Sequence, residues 1–160
     1  MVKYMLYNTS TPAGTIYMAS LDDKILRIDS DYDRFFKGIG KYGKAVENNS
    51  GVLSEAKNQL GLYFTKRLNI FELPLYIDGT PFSMKVWNEL MRIPYGTTTT
   101  YGDIAKDIAK PKAARAVGRA VGANPIPFVI PCHRVVGKDG SMVGFGLGLG
   151  VKKFLLELES

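Results

Sequence analysis

The sequence predicts an α+β protein in two small domains, residues 1–78 rich in strands and residues 79–160 mostly helical. Three observations predict it. Short apolar runs broken by turn residues fill the first third, and apolar residues at helical spacing fill the second half. Between them, Asp78-Gly79-Thr80-Pro81 is the most turn-prone stretch and marks the boundary.

The elements follow in order. Met1 to Tyr7 reads as a strand, and Thr15–Ser20 and Lys24–Asp29 flank Leu21-Asp22-Asp23 as a hairpin. Tyr32–Phe36 is a short helix, and the Gly-, Lys- and Asn-rich stretch Gly38–Gly51 is a loop. Leu53, Ala56, Leu60, Phe64 and Leu68 repeat at helical spacing, predicting a helix over 52–68, followed by a strand at Asn69–Ile77. In the second half, Thr80 caps a helix with Pro81 in its first position and Phe82, Val86 and Leu90 as its stripe, widened by Trp87 and Met91 as core residues. Thr100-Tyr101-Gly102-Asp103 resembles a capping box opening a helix to about Ala109. Pro111 opens another, which Asn124-Pro125 stops. Ile126–Ile130 reads as an apolar strand, and Gly137-Lys138-Asp139-Gly140 as a hairpin turn between Val135-Val136 and Met142-Val143. Val151–Leu158 is the last helix. Two short helices with a tight link, then a hairpin, give a winged helix-turn-helix.

Composition narrows the function. No apolar run reaches membrane-spanning length and no signal peptide opens the chain, so a cytoplasmic protein without membrane contact is expected. The net charge of +6 is uneven: residues 1–78 carry 10 Lys and Arg against 9 Asp and Glu, residues 79–160 carry 11 against 6. The basic excess in the second half suits a polyanion there, although a solvated face would look the same. One Cys and one His exclude an internal disulfide and a zinc site of the usual Cys/His kind.

The small-residue helix from Ala113 to Gly122 carries Arg115 and Arg119 four apart, hence on one face. Small side chains let a helix approach a partner closely, and its position in the helix-turn-helix favours DNA over a mere packing role. The only cysteine and the only histidine are neighbours in Pro131-Cys132-His133-Arg134. A cysteine in an apolar strand is a poor nucleophile, because burial disfavours the thiolate. It needs a base, and His133 is the sole imidazole. Neighbours on a strand point to opposite faces, so a bridging water or a local kink is required. A carboxylate to orient His133 could come from Glu157, Glu159 or Asp139; spacing does not choose among them.

Pro131-Cys132-His133-Arg134-Val135-Val136 resembles the signature of the O6-alkylguanine-DNA alkyltransferases, the methylated-DNA–protein-cysteine methyltransferases. The resemblance runs from about Thr80 to Glu159, through Thr100-Tyr101, Ala113 to Gly118, Asn124-Pro125, the glycine-rich turn and Val151 to Glu159. It implies a ribonuclease-H-like α/β first domain and a winged helix-turn-helix second domain. It also implies single-use repair of O6-alkylguanine, and of O4-alkylthymine, in double-stranded DNA, by a monomer that needs no cofactor or metal.

Roles are implied residue by residue. Cys132 accepts the alkyl group, His133 activates it through a water, and Glu159 orients His133. Tyr101 donates to guanine N3 as the base leaves, and Asn124 ties the recognition helix to the active-site segment. Arg115 fills the gap left by the flipped nucleotide, with Arg119 beside it on the DNA face. The carbonyls of Cys132 and Val135 accept from guanine N2, the Gly146 amide serves O6, and Lys152 supports the pocket. The family lays its small-residue helix in the minor groove, with affinity drawn mostly from phosphates. Phe145 stands where a tyrosine is common, and Leu147 where a glycine is, which predicts a narrower, more apolar pocket wall. The alternative is a non-catalytic alkyltransferase-like protein that binds the lesion without repairing it; such proteins lack the acceptor cysteine.

Overall fold

A computed structural model describes residues 1–160 and separates Met1–Ile77 from Asp78–Ser160. In the first unit, β1 (Val2–Asn8) pairs antiparallel with β2 (Thr15–Leu21), which pairs antiparallel with β3 (Lys24–Asp29). Asp22 (φ 52°) and Asp23 (φ 57°) both adopt left-handed backbone, the conformation that a two-residue hairpin needs to match strand twist. Helix α1 (Tyr32–Ile39) starts where the Asp31 side chain accepts from the Arg34 amide. It carries the chain to β4 (Ala45–Glu47), which lies parallel to β1, giving the order β3-β2-β1-β4. Phe35 and Ile39 of α1 pack with Val2, Ala19 and Leu26 as one core cluster. Helix α2 (Val52–Phe64) contacts β1, β2 and β3 and buries Leu53, Ala56, Leu60 and Tyr63.

Three expectations for this unit change. The predicted loop Gly38–Gly51 contains the end of α1, a 3-10 turn at Gly40–Tyr42, and β4. A three-residue strand is too short to show a period, so pairing with β1 alone defines it. The helix predicted to reach 68 ends at Phe64, because Lys66 turns left-handed (φ 61°) and the Arg67 amide bonds back to Leu62. Asn69–Ile77 is not a strand. Only Leu75 bridges to Ile25, with the Ile25 amide donating to the Pro74 carbonyl at 2.8 Å. Pro74 has no N–H to extend a ladder.

The second unit holds α3 (Pro81–Leu90), β5 (Thr99–Thr100), α4 (Tyr101–Asp107), α5 (Ala114–Gly122), β6 (Val135–Val136) and α6 (Leu149–Leu158). Thr80 caps α3 by accepting from Ser83, and Thr100 caps α4 by accepting from Asp103, as the sequence predicts. Helix α5 packs on both α3 and α4, and the buried Trp87 indole donates to the Ala120 carbonyl at 2.8 Å. The α+β class holds, and α4 and α5 form the predicted helix pair. Helix α5 begins at Ala114 rather than Pro111, after Ala109 reverses the chain at φ 61°. No helix is long and apolar enough to cross a membrane.

Two local expectations fail. Ile126–Ile130 forms a compact turn closed by the Ile130 amide on the Ile126 carbonyl at 2.9 Å, with buried Phe128 at φ 70°. Pro125, Pro127 and Pro131 supply no N–H and so cannot keep a strand in a ladder. The wing is not a two-stranded ribbon either. Strand β6 pairs parallel with β5, and only Gly137 bonds across the turn, to the Ser141 carbonyl.

Candidate active site

The proline-rich turn delivers Cys132, His133 and Arg134 on a single 3-10 turn, and all three are buried. This corrects the expectation that Cys132 lies on an extended strand: the opposite-face argument does not apply, and the turn itself supplies the required kink. Burial pushes the Cys132 thiol up to about 11. A hydrogen bond from the Asn124 side chain, the Lys152 charge and the amides of residues 132 and 133 oppose that rise.

Asn124 follows α5 and fixes the turn from its start. Its amide nitrogen donates to the Ile130 carbonyl at 2.8 Å, and its oxygen accepts from the Ile126 amide at 2.9 Å. One side chain thus clamps both ends of the segment that presents Cys132.

Among the three carboxylates open on spacing alone, the structure brings Glu159 to His133. Their contact, Nε2 to Oε2, is 2.6 Å and fully buried. A carboxylate only accepts, so the proton sits on Nε2 and Nδ1 is the basic ring nitrogen. Burial lowers the His133 pKa; the Glu159 hydrogen bond and charge oppose this, and the Arg134 and Lys152 charges add to it. The net direction favours the neutral ring.

The remaining predicted residues divide into two groups. Tyr101, at the start of α4, packs its ring edge near Gly118 of α5 and donates its hydroxyl to the Val143 carbonyl at 3.2 Å. Burial raises its pKa, with the Cys132 charge adding to the rise. Lys152 of α6 is fully buried, and its ammonium donates to the carbonyls of Val135 (2.6 Å) and Val143 (3.1 Å). The Val135 carbonyl, expected to serve guanine N2, is thus already taken by Lys152 in the DNA-free protein. A carbonyl has two lone pairs, so a second donor remains possible. Arg115 and Arg119 are exposed on α5. Phe145 is half-buried and Gly146 exposed in the segment between β6 and α6.

Arg134 escaped the sequence reading as a site residue. It is buried and donates from Nε to Glu159 Oε1 (2.8 Å), from Nη2 to Oε2 (3.0 Å), and from Nη1 to the Ile93 carbonyl (2.7 Å). Its place beside the Cys-His pair was the only available signal.

Comparison with known proteins agrees along the whole chain. Residues 2–77 match the ribonuclease-like domain, and residues 81–160 the DNA binding domain, of 6-O-methylguanine DNA methyltransferase. The chain is 45% identical over 152 residues to a methylated-DNA–protein-cysteine methyltransferase of Methanosarcina acetivorans, covering 93% of this chain and 94% of that protein. It is 40% identical to the constitutive Bacillus subtilis protein of the same name, covering 96% and 94%. The crystal structure of Mycobacterium tuberculosis OGT in complex with DNA superposes with a TM-score of 0.85 at 35% identity, covering 98% of this chain and 92% of that one. On sequence and fold together, the chain belongs to the 6-O-methylguanine DNA methyltransferase family.

Proposed function

We propose that this protein repairs alkylated DNA by moving the alkyl group from guanine O6, or from thymine O4, irreversibly onto Cys132. The observation that carries the proposal is the buried Cys132 on one turn with His133, whose ring is held by Glu159 at 2.6 Å. DNA is the partner that fits the second unit, which matches a DNA binding domain and exposes Arg115 and Arg119 on α5.

A base stacked in a duplex cannot present O6 to a buried sulfur, so the nucleotide must rotate out, with Arg115 filling the gap. Helix α5 enters the minor groove, and phosphate contacts carry most of the affinity. His133 Nδ1 takes the Cys132 proton through a water, and Glu159 stabilises the imidazolium that forms. The sulfur then attacks the alkyl carbon: an S–C bond forms, the C–O6 bond breaks, and its electron pair goes to the guanine. Tyr101 donates its proton towards N3 as that charge develops, so the base departs neutral. The Gly146 amide and the Val135 and Cys132 carbonyls hold the base, while Phe145 and Lys152 form its surroundings. No cofactor takes part, and the protein acts as a monomer in the cytoplasm.

The thioether has no good leaving group, so each chain acts once. Intact mass after incubation with excess O6-methylguanine duplex tests this: one added methyl group per chain, on the peptide holding Cys132, is expected. Sustained turnover, or tight binding without mass change, would overturn it.

A further inference from the structure

We propose that Arg134 is a positioning residue for alkyl transfer: its guanidinium holds the Glu159 carboxylate in the orientation that aligns His133, and shares that carboxylate's charge so that His133 rests as a neutral base. The inference deepens the reading above and rests on it.

The geometry is that of a planar fork. Nε and Nη2 reach the two oxygens of Glu159 at 2.8 and 3.0 Å, and Oε2 is the same atom that His133 contacts at 2.6 Å. Bidentate pairing of this kind fixes the plane of a carboxylate, which a single point charge does not. The Gly96 amide adds a longer contact to Oε1 at 3.3 Å. Arg134 is itself anchored, by Nη1 on the Ile93 carbonyl at 2.7 Å and by the Tyr95 ring, 5.7 Å from its Cζ. The orienting carboxylate sits at the C-cap of α6, and helix ends otherwise fray. Arg134 ties that end to the turn after α3 and to the turn bearing Cys132. Without it, Glu159 would keep its contact with His133 but not a fixed plane.

Of the three charged side chains that act on His133, two oppose its protonation. His133 faces Glu159 and Lys152 from α6 and its end, and Cys132 and Arg134 from its own turn, while Tyr95 lies against Arg134 and Glu159. Only Glu159 favours the imidazolium; Arg134 and Lys152 oppose it. Were Glu159 unshared, His133 would hold a proton to higher pH and lose its capacity to accept one from Cys132.

His133 is the only histidine, so its ring signals in a nuclear magnetic resonance titration of the full chain are unambiguous. In Arg134→Met the proton affinity of His133 should rise about tenfold, moving its midpoint up by about one pH unit. The acid limb of the reaction with free O6-benzylguanine should move with it. In Arg134→Lys, which keeps the charge and loses the fork, the midpoint should stay near the parent's while the plateau rate falls about tenfold. An unmoved midpoint in Arg134→Met, with a rate reduced only as far as the folded fraction, overturns the proposal. If Arg134→Met does not fold, a parental plateau rate in Arg134→Lys overturns it. The titration needs no alkyl transfer, so an inactive parent with the expected midpoints would refute the repair function while leaving intact the control of His133 by Arg134 through Glu159.

Discussion

The Tyr101 hydroxyl donates to the Val143 carbonyl at 3.2 Å, and the Lys152 ammonium reaches the same oxygen at 3.1 Å. The residue assigned to donate to guanine N3 therefore already has an acceptor in the DNA-free protein. On the proposed role, an entering base would make the hydroxyl exchange one acceptor for another instead of gaining a hydrogen bond. Tyr101 should accordingly add little to binding and more to the step in which charge builds on guanine.

Tyr101→Phe should slow transfer by a factor at or below about 10²–10⁴ while changing affinity for alkylated duplex far less. Single-turnover rates and equilibrium binding on the same duplex separate the two. Equal rates for mutant and parent would remove Tyr101 from the chemistry.

Arg115→Ala should impair repair in duplex DNA more than reaction with free O6-benzylguanine, because only the duplex requires a gap to be filled. Equal losses on both substrates would make Arg115 a support of the fold. Arg119→Ala should instead flatten the salt dependence of binding by about one phosphate contact, with no change on the free base.

Much of this site was legible in the sequence because it is local. Cys132 and His133 are adjacent, and Arg115 and Arg119 need only the helical period to share a face. What was not legible is tertiary. Spacing leaves Glu159, Glu157 and Asp139 open and only the family resemblance names Glu159; the choice depends on where α6 ends relative to the 3-10 turn, a contact across 26 residues. The apolar run Ile126–Ile130 carried strand propensity, but Pro127 within it, Pro125 and Pro131 on either side, and the Asn124 clamp at 2.8 and 2.9 Å fold it into a turn. Lys152 is named only through the family resemblance; its burial against the Val135 carbonyl is a tertiary fact that helical spacing does not carry. In the first unit, β4 was invisible because three residues acquire strand character only by pairing with β1.

The buried histidine gives the fold a pH dependence with a definite sign. Burial lowers the His133 pKa below its ordinary 6.5, so the native chain binds fewer protons than the unfolded one across that window. This contribution to stability is complete above pH 6.5 and is lost progressively as pH falls from there through the lowered native value. The pKa of Asp29 is also lowered: burial acts against the shift, and the Arg34 hydrogen bond leads the groups that outweigh it. Its contribution is lost only in more acid solution, as pH falls below 3.8. Melting temperature should therefore drop between pH 7 and 5, well above the range in which carboxylates titrate. A flat profile across that interval would contradict the neutral, buried state of His133.

Alkylation should weaken the fold that made it possible. Cys132 is 6% exposed, on a tight turn clamped by Asn124, with the packed residues Ile130 and Val135 on either side in sequence. An added methyl or larger group must displace neighbours, and overpacking of this kind costs about 1–3 kcal/mol. The modified protein should melt several degrees earlier than the unmodified one, with a larger loss for benzyl than for methyl. Cys132→Ala removes volume instead; it should transfer nothing, keep its affinity for alkylated duplex, and show no change in melting after incubation with O6-benzylguanine. That control matters because DNA binding alone would shift melting upward by mass action. A methylated protein as stable as its parent would mean that the pocket around Cys132 holds room for the alkyl group before any reaction, and that the turn is looser than its hydrogen bonds imply.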